Sequence, residues 1–292
     1  MFDVTLQFIV NGLVAGCFYA LTAVGLTLIF GMMQIVNFAH GEFFVLGGML
    51  AYVLTHFLGI PFAAAIPIVL VVMWIFGAFV DWALLSRMRD APMISTALVT
   101  IGLSVFMMNT MLLVFGTEPK NIETGIGAAP LIIGTIVITK VRVITIFVSV
   151  AAIVAVHYLI NHTRRGRAMR AVFQQKEAAA LVGIPISQTY RFTFALGTTL
   201  AALSGILLGA VFVVHPTAAE LATLKAFVVV ILGGMGSFGG AIVGGLLLGV
   251  VESLWGGFIS TGYMDVVGFL LVIGLLLVKP SGLFGMVGAR EK

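Results

Sequence analysis

The sequence predicts an all-α polytopic membrane protein, and three observations predict it. Of its 292 residues, 61% are hydrophobic and 9% are charged, where a soluble domain carries roughly 25% charged residues. Six uncharged runs, at residues 4–41, 43–80, 91–117, 143–163, 192–219 and 226–251, reach or exceed the length of a membrane span, about 20 residues. None of them alternates polar and apolar residues, so their backbone groups are satisfied inside helices rather than in a barrel.

The crossings follow in order from the basic residues, which collect in cytoplasmic loops. Arg87 and Arg89 form one cluster. Arg164, Arg165, Arg167, Arg170, Lys176 and Arg191 form a second, and Lys279, Arg290 and Lys292 a third. With all three inside, Lys120, Lys140, Arg142 and Lys225 fall outside. The first run, 6–30, then crosses inward from an external N-terminus. No Lys or Arg precedes it and it is too long for a signal-peptide core, so it reads as a retained span. Residues 43–58 cross outward, 61–84 inward and 93–115 outward.

The segment 116–142 is external, polar at first and then β-branched, which predicts a small hairpin within IIGTIVITKVRV. Residues 143–161 return inward to a polar island at 163–191. Residues 192–213 cross outward, and 263–278 bring the chain back to a cytoplasmic C-terminus. Parity requires two short crossings within 223–258, split near the glycines. The total is about eight or nine spans, some short or broken, in one transmembrane domain over 1–292.

Glycines mark two interruptions. Gly234, Gly236 and Gly239 satisfy GxGxxG, but without the strand, helix and downstream acid of a dinucleotide site. The pairs Gly236/Gly240, Gly240/Gly244 and Gly245/Gly249 instead suit close helix packing in lipid. A broken helix lining a cavity is the alternative reading. A loose counterpart, Gly31 to Glu42 followed by Gly47-Gly48, hints at an internal repeat. Asn37, His40, Glu42, Gly234, Gly236 and Gly239 are therefore candidates for a helix break or a translocation pathway. For Glu42 the preferred reading is a helix start at the cytoplasmic edge, where a carboxylate favours the helix dipole. Glu252 and Asp265 flank the last external loop, with no basic partner near in sequence. The lone Cys17 forms no internal disulfide and no metal framework. The chain has no HExxH, CxxC or Gly-Lys-Ser/Thr motif, so neither a metal site nor an ATP site of its own is visible.

The polar island carries the most information. Residues 167–182 contain good helix formers, with Met169, Val172, Phe173 and Ala180 at roughly helical spacing. Gly183 suits the helix C-terminus and Pro185 blocks continuation. A short amphipathic helix with small alanines allows another protein to dock closely. Arg164 and Arg165 read as solvated residues that set topology.

Three stretches, GLTLIFGMMQIVNFAHGEFFVLGG, GRAMRAVFQQKEAAALVGI and LKAFVVVILGGMGSFGGAIVGGLLLGVVE followed by KPSGLFG, resemble the smaller permease subunit of branched-chain amino acid ABC importers of the leucine/isoleucine/valine type. The resemblance runs over nearly the whole chain. It implies a bacterial inner-membrane transporter built from this subunit, a second homologous permease, two cytoplasmic ATPases that bind the ATP, and a periplasmic binding protein. It implies no cofactor in this chain, no enzymatic activity and no nucleic-acid partner. Glu177, Ala178, Ala179 and Gly183 match the core of the cytoplasmic loop that fits a groove on the ATPase. The family pattern continues with Ile-x-Leu-Pro, whereas this chain has Ile184-Pro185 at once. Arg170, Phe173 and Ile184 complete the expected coupling segment. Leucine, isoleucine and valine are the implied solutes, although related systems import other amino acids, amides, urea or aromatic acids. The rival reading is an ion- or proton-coupled secondary carrier working through Glu42 or Glu252.

Overall fold

The computed structural model describes residues 2–89, 91–126 and 130–285; Arg290 and Lys292 of the third basic cluster lie outside them. The elements are α1 (Phe2–Met33), α2 (His40–Tyr52), α3 (Phe62–Ala83), α4 (Met93–Phe115), β1 (Pro130–Ile133), β2 (Ile136–Thr139), α5 (Lys140–His162), α6 (Arg164–Gln174), α7 (Lys176–Leu181), α8 (Ile186–Val211), α9 (Ala219–Gly233), α10 (Phe238–Phe258) and α11 (Met264–Val278). A π-helical turn, Val53–Phe57, extends α2. Among the described residues, seven helices are long and apolar enough to cross a membrane: α1, α3, α4, α5, α8, α10, and α11 with the turn before it. α2 and α9 are shorter.

Two helices form the centre. α1 and α8 are buried along most of their length, while α4, α5 and α11 are largely exposed. The central pair cross where both are glycine. A Cβ on Gly25 would stand 2.5 Å from the Gly197 carbonyl oxygen, and one on Gly197 would stand 2.7 Å from the Gly25 oxygen. α1 also packs on α10, where Gly12 and Gly16 meet Gly245 and Gly249 backbone to backbone. Lipid supplies no hydrophobic drive between helices, so dispersion across such close contacts holds them. The packing has a pattern. α1 lies against α8, α9 and α10, and α8 lies against α1, α2 and α3.

The ends of the helices sort onto two faces. On one, the side-chain amide of Gln7 in α1 bonds both the N–H and the carbonyl of Val137 in the hairpin. Ser253 of α10 donates to Phe8 O, and Lys120 pairs with Val214 in the α8–α9 connection. On the other, Arg89 reaches Ser187 at the start of α8, Phe173 of α6 abuts Gly31 and Gly236, and Phe284 N donates to Gly233 O. Arg87, Arg89, the 164–191 cluster and Lys279 therefore share a face, opposite Lys120, Lys140 and Arg142.

Several expectations change. The hairpin forms with a two-residue Gly134-Thr135 turn, Gly134 at φ +63°, but it ends at Thr139 and α5 takes over at Lys140. Gly236 is not part of a helical glycine stripe. It sits at φ +82° in the turn between α9 and α10, so only Gly240/Gly244 and Gly245/Gly249 pack as helix pairs. Lys225 is not an external loop charge. It lies inside α9 and is ion-paired, so it says nothing about topology.

Candidate functional site

The polar island folds as two helices rather than one. Thr163 caps α6, its Oγ1 accepting from Gly166 N at 3.0 Å. Gly166 lies directly on the Leu159 and Ile160 carbonyls, and Arg170 donates to Ile160 O. α6 is thus pinned across the end of α5, with Met169 and Val172 buried beneath it. Gln175 turns extended (φ −157°) and the chain restarts as α7. This break resets the helical register, so Ala179 and not Ala180 faces inward. α7 ends as Gly183 predicts: at φ +82°, its N–H donates to Ala180 O while Ile184 N–H donates to Ala179 O. That pair of bonds is the Schellman motif, with Ile184 partly buried against the core to which Ala179 belongs.

α7 consequently presents an unpartnered apolar tip. Leu181 is 89% exposed and Val182 76% exposed, beside exposed Glu177 and Ala178. Arg170 is turned back to α5, and Phe173 is half exposed against Gly31 and Gly236.

The first helix break brings Asn37, His40 and Glu42 together in the interior. All three are at most 2% exposed. Asn37 Oδ1 accepts from Ala39 N at 3.1 Å. His40 Nε2 lies 2.9 Å from Thr22 O, which can only accept, so Nε2 carries the proton. Glu42 Oε1 accepts from Ser104 Oγ at 3.0 Å. Asn37 Nδ2, His40 Nδ1 and Glu42 Oε2 have no partner. α2 does start here, as expected for Glu42, but the carboxylate is enclosed by protein rather than exposed at an edge. The second break places Gly234 (φ +97°) and Gly236 in the turn, and Ser237 Oγ caps α10 by accepting from Gly240 N. Gly239, in the first turn of α10, faces open space. The two breaks do not form one cluster. The first lies against Thr223 at the start of α9, the second against Phe173 and the chain after α11.

A profile of the family described as "Branched-chain amino acid transport system / permease component" matches residues 8–278. The chain belongs to this permease family. The permease is 33% identical over 96% of its length, and 95% of the relative's, to the high-affinity branched-chain amino acid transport system permease protein LivH of Salmonella typhimurium. It is 32% identical, at the same coverage, to LivH of Escherichia coli and to the corresponding protein BraD of Pseudomonas aeruginosa. It is a transport subunit and not an enzyme, and membership decides against the ion-coupled carrier.

Two charged clusters of the permease escaped sequence reasoning. Lys225 Nζ stands 2.9 Å from Glu252 Oε2, 2.8 Å from Asp265 Oδ1 and 2.8 Å from Tyr19 Oη. Tyr19 also donates to Glu252 at 2.7 Å. α1, α9, α10 and α11 meet there. Asp81, fully buried, accepts from Arg89 Nη2 at 2.9 Å and lies 3.8 Å from Arg191 Nε, joining α3 to the base of α8. The only signal for either was an isolated charge at the edge of an apolar run; its partner sits on another element, 27 residues away for Lys225 and Glu252 and 8 for Asp81 and Arg89. Among the described residues, no group of His, Cys, Asp and Glu is arranged to hold a metal.

Proposed function

We propose that this permease forms half of a translocation pathway for branched-chain amino acids and couples to cytoplasmic ATPases through α6 and α7. A second permease supplies the other half and a periplasmic binding protein delivers the solute. The reading draws its solute and its assembly from the relatives. Its coupling segment draws on one observation above all, the exposed α7 tip. A six-residue helix closed by Gly183 and anchored through buried Ala179, yet showing Leu181 and Val182 to solvent, is suited to insert into an apolar groove. Glu177, Ala178 and Gly183 flank that tip; Ala179 and Ile184 hold its shape; Arg170 holds α6 to α5.

The face bearing the 164–191 cluster is then cytoplasmic, the N-terminus external, and α2 and α9 act as short crossings, giving nine. The alternation of packing around α1 and α8 supports an inverted repeat, α1–α3 against α8–α10, with the two short helices entering from opposite sides. ATP-driven approach of the ATPases moves the coupling segments and opens the path between permeases toward the binding protein.

The test is purification in mild detergent of this chain expressed with its neighbouring genes. Recovery of a second permease and two ATPases, the ATPases lost on Leu181→Asp or Glu177→Lys, supports the reading. A chain recovered alone that transports without ATP overturns it.

A further inference from the structure

The family resemblance places Phe173 in the ATPase-coupling segment, but its ring points into the body of the protein. A Cβ on Gly31 would stand 3.2 Å from Phe173 Cε2, and one on Gly236 would stand 3.4 Å from Phe173 Cζ. The ring therefore fills a notch that exists because both positions are glycine. Gly31 belongs to the last turn of α1, and Gly236 to the turn joining α9 to α10. The end of α9 that leads into this turn is bonded to the chain after α11, through Leu283 N to Leu232 O at 2.9 Å and Phe284 N to Gly233 O at 3.0 Å. One aromatic ring thus touches the cytoplasmic ends of both glycine-interrupted halves.

α6 is anchored at one end and leads into a helix break at the other. The start of α6 is fixed to α5 by the Thr163 cap and by Arg170. Its end, carrying Phe173, is followed by the extended Gln175 and by α7. A cavity of about 190 Å³, lined by Thr27, Gly31, Met169, Arg170 and Gly236 among others, lies beside the ring. Close-packed groups transmit displacement because they cannot be compressed, and packed elements shift between discrete arrangements. Movement of α7 relative to α5 must therefore drive the ring against Gly31 and Gly236 or draw it toward the cavity.

We propose that Phe173 is the positioning residue that carries motion of the docking helix into the membrane-spanning body, acting on the ends of α1 and of the α9–α10 turn. The proposal rests on α7 being the ATPase-docking element. Phe173 acts behind that surface, not as part of it.

The test uses the complete complex of both permeases and both ATPases in liposomes with the binding protein, measuring ATPase retention, ATP hydrolysis and uptake per ATP. Phe173→Ala is expected to retain the ATPases and to keep hydrolysis within about twofold, while uptake per ATP falls about tenfold, within the range that couplings between sites span. Phe173→Leu, which refills most of the notch, restores most of the ratio and serves as well where the alanine variant does not assemble, because Phe173→Gln then provides the low-ratio arm. Loss of ATPases from the Phe173 variants would make the residue a docking contact and overturn the proposal. An unchanged ratio of uptake to hydrolysis would overturn it too, leaving the docking reading intact. Retention of ATPases by Leu181→Asp would remove the docking reading, and this proposal with it.

Discussion

The amide of Gly41 donates to the hydroxyl of Thr223 at 2.9 Å, so a side chain of α9 caps the first turn of α2. The two helices pass in opposite directions there: the Phe38 and Phe227 rings meet at a tilt, 5.6 Å between ring centres, while Gly41 lies on the Ala219 carbonyl. An orphan helix-end amide buried in a membrane protein is costly, and this contact satisfies one with a group from the other half of the chain.

Gly41→Ala is therefore expected to be poorly tolerated. Its Cβ would fall 2.0 Å from Ala219 O and 2.4 Å from Thr223 Oγ1, and overpacking of this kind costs about 1–3 kcal/mol. Thr223→Val, which removes the cap and little volume, should cost about 1 kcal/mol. Thermal unfolding in detergent, with the two variants ranked against wild type, checks the order. Equal midpoints for all three would exclude a structural role for the contact.

Lys225 is ion-paired with two carboxylates at once, and Glu252 is 2% exposed. Lys225→Met leaves Glu252 buried without its cation, a loss of about 3–5 kcal/mol. The double variant Lys225→Met/Glu252→Gln removes the stranded charge and should recover most of that loss. A double-mutant cycle on unfolding midpoints measures the recovery, and strict additivity would refute the coupling.

Glycines on α10 separate sharply by what they face. A Cβ on Gly249 would stand 2.4 Å from Gly12 O, whereas one on Gly239 meets nothing within 4 Å. Gly249→Val should break the α1–α10 crossing and cost upward of about 2 kcal/mol. Gly239→Ala should be neutral or slightly stabilising, by less than about 1 kcal/mol, because alanine is the better helix former. Expression level and melting temperature of the pair decide it.

Gly183 at φ +82° closes α7. Gly183→Val forces a β-branched residue into the left-handed region at a cost of about 1–3 kcal/mol. Because α7 is short and exposed, the cost should appear as local fraying. Faster amide exchange of Ile184, whose N–H bonds Ala179 O, is expected with an unchanged global midpoint. A fall of the global midpoint instead would place α7 inside the cooperative core.

Much of this molecule was legible along the chain because the bilayer imposes one-dimensional rules. Span length, apolar runs and the grouping of Arg87, Arg89 and the 164–191 cluster on one face require no knowledge of neighbours. The hairpin near Ile132, the break at Gly234–Gly236 and the αL residue at Gly183 follow from local backbone chemistry. The single helix expected over 167–182 did not hold, since Gln175 has no breaker signature and the bend is imposed by what α6 rests upon. Ala180 was misread for Ala179 for the same reason.

The sequence by itself determined an all-α membrane protein with glycine interruptions and a polar segment ended by glycine, because periodicity, composition and turn chemistry act over a few residues. Only the tertiary structure decided which charges are partners and which glycines are contacts. Lys225 finds Glu252 and Asp265, Asp81 finds Arg89 and Arg191, and Phe173 finds Gly31 and Gly236. Those pairings join different elements of the fold, where the cost of a buried charge or an unfilled notch is settled by packing in three dimensions.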